Sequence, residues 1–252
     1  MTPRQCVELF HLVFVRALTA RLDDKKLVCV KGGCNLRFFF ESVRYSEDID
    51  LDVAVVARET LQKKVDGLLQ SPIVVAPLKA MGVSVVEVSK PKQTETTQRW
   101  KAGLRTQGQR ETIRTKIEFS RRAAIAGAAF EAVHASVTSR YMLPPFLVTH
   151  YPASQAIIQK IHALCERHEP QPRDVFDLNL LFARRDVTVR LSEEEKAWVP
   201  GAIDNAISIS YDDYSAKVVD YLEPDHAELY ASRVAWELMQ SVVTDRVGRL
   251  GK

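Results

Sequence analysis

Cysteine is sparse in this chain of 252 residues: the four present, Cys6, Cys29, Cys34 and Cys165, form no CxxC pair and have no histidine at zinc-ligand spacing. A disulfide framework and a structural zinc site are thereby excluded, and scattered free thiols fit a reducing compartment. Long hydrophobic runs are missing as well. The most apolar N-terminal stretch, residues 9–18, is broken by His11 and Arg16, so neither a secretory leader nor a membrane span is expected and the protein is read as cytoplasmic. There is no internal repeat or low-complexity tract, and with 46% hydrophobic and 27% charged residues the composition is that of an ordinary globular protein. Disordered and collagen-like chains are excluded, and the length suits one large domain or a larger domain with a smaller one beside it.

Charge of one sign is in little excess, the formal net value being +3, but it is unevenly spread. Residues 90–122 hold ten Lys or Arg against three Glu, whereas residues 192–252 hold twelve acids against six bases. The basic stretch includes Arg99, Lys101, Arg105, Arg110 and Arg114 with Trp100 among them. Two readings stand side by side: a solvated hairpin, or an RNA-binding surface on which phosphates pair with Arg and a base stacks on Trp100.

Periodicity predicts a packed helix over residues 3–22, closed by the polar cluster Asp23, Asp24, Lys25 and Lys26. Residues 27–30 read as a short strand, Lys31-Gly32-Gly33 as a turn, and residues 35–41 as a helix. Residues 49–56 are strand-like and 58–69 form an amphipathic helix. Further strands are expected at 83–88, 99–104 and 112–119, the last two joined by a turn containing glycine. Beyond Pro144-Pro145 the pattern turns helical, over 152–168, 173–183 and most of the remainder. The expected architecture is therefore a mixed α/β (α+β) sheet flanked by helices over residues 1–145, with a mainly helical domain over 146–252. His134 and His162 lie among apolar residues and are expected in the core, and Tyr141, Trp198 and Trp236 read as packing residues.

The chemistry is concentrated in Lys31-Gly32-Gly33-Cys34-Asn35-Leu36-Arg37 and, ten residues on, Asp48-Ile49-Asp50-Leu51. Side chains alternate along a strand, so Asp48 and Asp50 share a face at the end nearest the glycine turn. Two carboxylates about 4 Å apart repel by about 4 kcal/mol at an effective dielectric near 20, so they share a proton or hold a divalent cation. Mg2+, or Mn2+, suits paired carboxylates that also meet substrate phosphates. Gly32 and Gly33 let backbone N–H groups approach an anion, and the following helix points its positive end at the same place. Asp52 also shares that face but lies deeper, and reads as a structural hydrogen-bonding group. Glu118, the lone acid in Lys116-Ile117-Glu118-Phe119, is a candidate third metal ligand for two-metal phosphoryl transfer. Lys160, beside Ile157 and Leu164, and the pair Asp174 and Asp177 at the start of a helix after Pro172 are placed to bring a cation to phosphates and an acid to a hydroxyl. The bland readings are a snorkelling lysine and an acid favoured by the helix dipole, with Asp177 bonding the backbone.

Taken together, the two glycines followed by DIDL and an acid in an apolar strand resemble the polymerase-β-type nucleotidyltransferase superfamily, and Lys160 with RDxxDL resembles its AbiEii/AbiGii toxin branch, which includes the MenT toxins. The resemblance covers about residues 27–181. It implies nucleotidyl transfer from an NTP with Mg2+, with Gly32 and Gly33 on the phosphates, Cys34 and Arg37 among the nucleotide-binding residues, Asp48 and Asp50 on the metal, Lys160 on the nucleotide and Asp174 as the base for the acceptor. It further implies a toxin with a separately encoded antitoxin, acting in growth control or phage defence, with tRNA as acceptor. Cys34 departs from the Ser or Thr usual after the glycines and is a weaker donor. Transfer to a small molecule or a protein, and a non-catalytic nucleic-acid- or antitoxin-binding module, are the alternatives.

Overall fold

The computed structural model describes every residue except Asp23 and Ala123, so the part of the expected polar helix stop that falls on Asp23 lies outside the described residues. The chain divides into two compact units: Met1–Glu41 with Tyr45–Tyr151, and Ser42–Arg44 with Pro152–Lys252. The first unit runs α1 (Pro3–Ala20), β1 (Val28–Lys31), α2 (Gly32–Phe39), β2 (Ile49–Ala54), α3 (Arg58–Leu69), α4 (Pro72–Ala80), β3 (Val83–Gln93), β4 (Thr97–Thr106), β5 (Ile113–Arg122), β6 (Ala129–Ala132), α5 (Ala135–Arg140) and β7 (Leu147–His150). Pairing of β7 with β1 and β6 carries this unit to Tyr151, past the double proline at which the sequence suggests a break.

Among the described residues the strands form one mixed sheet in the order β3-β4-β5-β2-β1-β7-β6. β1 lies antiparallel to β2, which lies parallel to β5. Alternation then sorts the side chains. Val28 and Val30, Ile49, Leu51 and Val53, and Ile117 and Phe119 join Phe10, Phe14, Leu61 and Val65 in the core, each large apolar side chain contributing about 1.5–3 kcal/mol by burial. On the opposite face the register sets Asp50 between Lys31 and Glu118. The helix under the sheet, α1, starts in a capping box between Thr2 and Gln5 with Pro3 in its first turn, and it is apolar nearly all round because it is buried nearly all round.

Several expectations need correction. Trp100 carries no exposed ring for a base: it is fully buried, edge-on to Phe119, with its indole N–H on Asp66 at 2.9 Å. His134 and His162 are exposed, the first accepting from the Ser136 N–H at the start of α5, the second lying 4.4 Å from the Trp198 ring in the second unit. The buried histidines are His11 and His150. Helix α4 is absent from the periodicity reading because its internal Pro77 and β-branched residues disguise it, and the short edge strand β6 is absent from it as well.

The second unit is helical, with α6 (Ala153–Glu166), α7 (Pro172–Phe182), α8 (Glu193–Lys196), α9 (Val199–Ser208), α10 (Tyr211–Lys217), α11 (Pro224–Tyr230) and α12 (Arg233–Leu250). Its buried residues include Ile161, Leu164, Phe176, Leu178 and Val243, and Tyr214 stacks on Trp236 at 4.4 Å. Residues 42–44 join it through a bond from the Glu223 N–H to the Val43 carbonyl at 2.8 Å. Among the described residues no helix is long and apolar enough to cross a membrane.

Candidate active site

In the first unit the site begins where β1 ends. Lys31 precedes α2 without giving it a side-chain cap, and the first turn, from Gly32 through Cys34, presents the partial positive charge of a helix start. Gly32 has φ +65°, and a Cβ at that position would lie 3.0 Å from Asp50 Oδ2. Turn and carboxylate therefore approach as closely as a glycine permits.

Asp48 stands one residue ahead of β2 on a clamped turn. Its carbonyl accepts from Ser46 Oγ at 2.8 Å and from the Cys34 thiol at 3.4 Å, and the neighbouring Glu47 carbonyl accepts from Thr115 Oγ at 2.7 Å. Lys116 holds both oxygens of the Asp48 carboxylate: its backbone N–H donates to Oδ1 at 3.0 Å and its ammonium lies 2.7 Å from Oδ2. A cleft of about 430 Å3 opens beside Asp48, lined by Arg99, Lys101, Arg114, Thr115 and Lys116. The expected basic residues Arg99, Lys101 and Arg114 thus line one cleft with Asp48, while Arg105 and Arg110 are exposed outside its lining. Asp52 has the character expected of it: it is buried and accepts from Lys31 at 2.7 Å, Tyr151 at 2.7 Å and Arg122 at 3.3 Å.

Three candidates are placed differently from expectation. The Cys34 thiol is buried against His11 Nδ1 at 3.4 Å rather than turned to an anion; burial pushes it well above its ordinary pKa, and Asp50, Glu8 and Asp48 push it further, against the lowering bond from Ser46. What Cys34 can offer a phosphate is its backbone N–H. Arg37 is also buried, bonded to Glu8 at 2.5 Å and lying 4.6 Å over the Tyr45 ring, so it serves the core. Glu118 receives Arg99 Nε at 2.6 Å, and among the described residues no three acids, cysteines or histidines gather as metal ligands.

His11 ties these contacts together. Because Thr115 gives its hydroxyl proton to Glu47, its oxygen accepts from His11 Nε2 at 2.8 Å, which leaves Nδ1 as the lone pair facing Cys34. Burial pulls the imidazole pKa down to about 3.

The second unit gathers its own charged cluster. Lys160 on α6 reaches Asp174 at 2.8 Å and Asp177 at 2.5 Å, both on α7 and both fully buried. Asp177 bonds side chains rather than backbone, for Arg44 adds contacts at 3.0, 3.1 and 3.2 Å. Burial pushes Asp177 up, but Arg44 and Lys160 outweigh it and hold the carboxyl below its usual value. Arg167 lies 3.0 Å from Asp174 Oδ2 in an ion pair, yet outside hydrogen-bonding alignment, so that oxygen keeps an unmatched acceptor. Sequence reasoning missed Lys31, Lys116, Arg44 and Arg167. The alternation of Lys116 with Glu118 was a usable signal for one of them; the others depend on packing.

The model of the family described as nucleotidyl transferase AbiEii toxin, type IV TA system, matches residues 14–212. The chain belongs to the AbiEii nucleotidyltransferase toxin family. Among solved structures, JHP933 from Helicobacter pylori superposes with a TM-score of 0.58 at 19% identity, covering 96% of this chain and 92% of that one. MenT4, a nucleotidyltransferase toxin from Mycobacterium tuberculosis H37Rv, gives 0.57 at 15% identity over 98% and 84%. At these identities the likeness is one of fold. No curated protein matches the chain.

AbiEii nucleotidyltransferases work with an NTP and a divalent metal, and the type IV systems to which they belong pair the toxin with a separate antitoxin. Asp48 and Asp50 fit that ion: they are hard oxygen donors next to a helix start that Lys31 leaves without a side-chain cap, with a glycine where a Cβ would crowd the Asp50 oxygen. Glu118, the third ligand suggested by the sequence, is held by Arg99 at 2.6 Å much as Asp48 is held by Lys116 at 2.7 Å.

Proposed function

We propose that this AbiEii protein transfers a nucleoside monophosphate from an NTP to an acceptor hydroxyl on RNA, with tRNA as the acceptor, so as to restrain translation or defend against phage until its antitoxin intervenes in the cytoplasm. The observation that carries this reading is the juxtaposition of Asp48, the clamped turn and a cleft lined by Arg99, Lys101, Arg114 and Lys116. Gly32, Gly33 and the Cys34 N–H would cradle phosphates, while Asp48 and Asp50 would hold Mg2+. Once bound, the ion would neutralise charge on the transferring phosphoryl group. To Lys160 we assign contact with the nucleotide. To Asp174 we assign activation of the acceptor hydroxyl.

The test is incubation with Mg2+, total tRNA and each α-labelled NTP in turn, with the products resolved on a denaturing gel. Label on RNA with wild type and none with Asp48→Ala, at unchanged circular dichroism, is the expected result and names the nucleotide. Label on protein would replace the RNA acceptor by a protein one. No label, and no NTP binding, would leave a non-catalytic binding module.

A further inference from the structure

The ammonium of Lys116 lies 2.7 Å from Asp48 Oδ2 while its own backbone N–H holds Oδ1. A lysine there is not needed for folding the turn, which is already clamped by Ser46, Cys34 and Thr115 through backbone carbonyls. Nor is the side chain packed away, since it is 39% exposed and lines the cleft. It is a flexible, compact cation seated on one of the two carboxylates that fit a divalent ion. Among the cations of this cleft it differs from its cross-strand partner Lys101, which has no acidic partner among the described residues. Arg99 is tied to Glu118 and Arg114 lies 3.8 Å from Glu87.

We propose that Lys116 is a built-in competitor for the metal, occupying Asp48 until a divalent ion displaces it and the freed ammonium turns to an anion entering the cleft. This rests on the metal reading above and deepens it with a regulatory element at the same site. Ion alone must break the Lys116–Asp48 contact without compensation. Ion arriving with a polyphosphate offers the ammonium a new partner. The two therefore bind with positive coupling, which by linkage acts equally in both directions, and the toxin is biased against loading metal in the absence of nucleotide.

The experiment measures the Kd of Mn2+ alone by electron paramagnetic resonance on the full chain, with thermal unfolding as the check on folding, in wild type and in Lys116→Met, Lys116→Gln, Lys101→Met and Asp48→Asn. A partly exposed ion pair is worth about 0.2–1 kcal/mol, which corresponds to an Mn2+ Kd about 1.4- to fivefold tighter in Lys116→Met and Lys116→Gln. Lys101→Met removes the same charge from the same cleft and is expected to change Kd by less. Equal tightening by the Lys116 and Lys101 variants would reduce the effect to general field and overturn the competitor role. Mn2+ binding that Asp48→Asn abolishes but the Lys116 variants leave unchanged overturns this inference while the metal site stands. Absence of Mn2+ binding in every variant overturns both.

Discussion

Gly32 is the residue on which the site is most sensitive to one methyl group. A side chain at φ +65° costs about 1–2 kcal/mol, and the added Cβ would stand 3.0 Å from Asp50 Oδ2 and push the carboxylate aside. Gly32→Ala is therefore expected to lower Tm by a few degrees but nucleotidyl transfer by about a hundredfold, since displacement of a reacting group by about 1 Å has that effect. A loss of activity no larger than the loss of folded protein would remove Asp50 from the site. His11 supplies a pH dependence. Its pKa is about 3 in the folded protein and about 6.5 unfolded, so between these values the unfolded state binds the extra proton and stability falls as pH falls. From pH 6.5 to 5, wild type should lose about 1.6 kcal/mol more than His11→Gln in urea titrations; parallel losses would show that the imidazole takes up its proton in the folded protein as readily as in the unfolded chain. His150 is lowered as well by burial and persists in both proteins, so it cancels in the comparison.

At the scale of elements, the β4–β5 hairpin shows what local pattern reveals and what it hides. Alternation puts Trp100, Ala102 and Leu104 in the core and leaves Arg99, Lys101 and Arg105 on the other face. The same alternation made Asp48, Asp50 and Glu118 legible in the sequence, because a strand fixes the facing of neighbours two residues apart. It did not disclose that Trp100 belongs to the buried set, since a basic stretch with an aromatic reads equally as a stacking platform. Nor did it disclose the inward facing of Cys34 and Arg37, which is set by Glu8 and His11 on α1. Lys101 and Arg114 line the cleft, and neither holds an acid closer than the 3.8 Å between Arg114 and Glu87. They are the cations of the cleft lining least tied to an acid. Lys101→Gln with Arg114→Gln should weaken tRNA binding and flatten the plot of log K against log salt by about 0.7–0.9 for each phosphate no longer neutralised. An unchanged slope would return the hairpin to the reading of a solvated surface.

Across the whole molecule the chain order and the packing order disagree. Residues 42–44 leave the first unit and belong to the second, and through them Arg44 meets Asp177 across 133 positions of sequence. No periodicity could show that pairing, for it exists only once α7 and the 42–44 segment are packed. Its energetic consequence is asymmetric. A buried ion pair adds little beyond a well-packed apolar pair, but removal of one partner leaves a charge stranded and costs about 3–5 kcal/mol. Arg44→Met takes one of two cations from Asp177, Lys160 remaining at 2.5 Å, so it is expected to lower Tm by several degrees rather than by the full cost of a stranded charge, yet by more than removal of the exposed Arg249–Asp245 pair, which is worth about 0.3–0.5 kcal/mol. The double variant Arg44→Met with Asp177→Leu strands no carboxylate, and Lys160 retains Asp174 at 2.8 Å, so much of the stability should return. The same pairing dictates the acid response: with the Asp177 pKa held below its usual value, its contribution is present above about pH 4 and is lost as pH falls through the folded value. If thermal melts show the double variant no more stable than Arg44→Met, the arginine is acting through packing of its stem rather than as the counter-ion of Asp177.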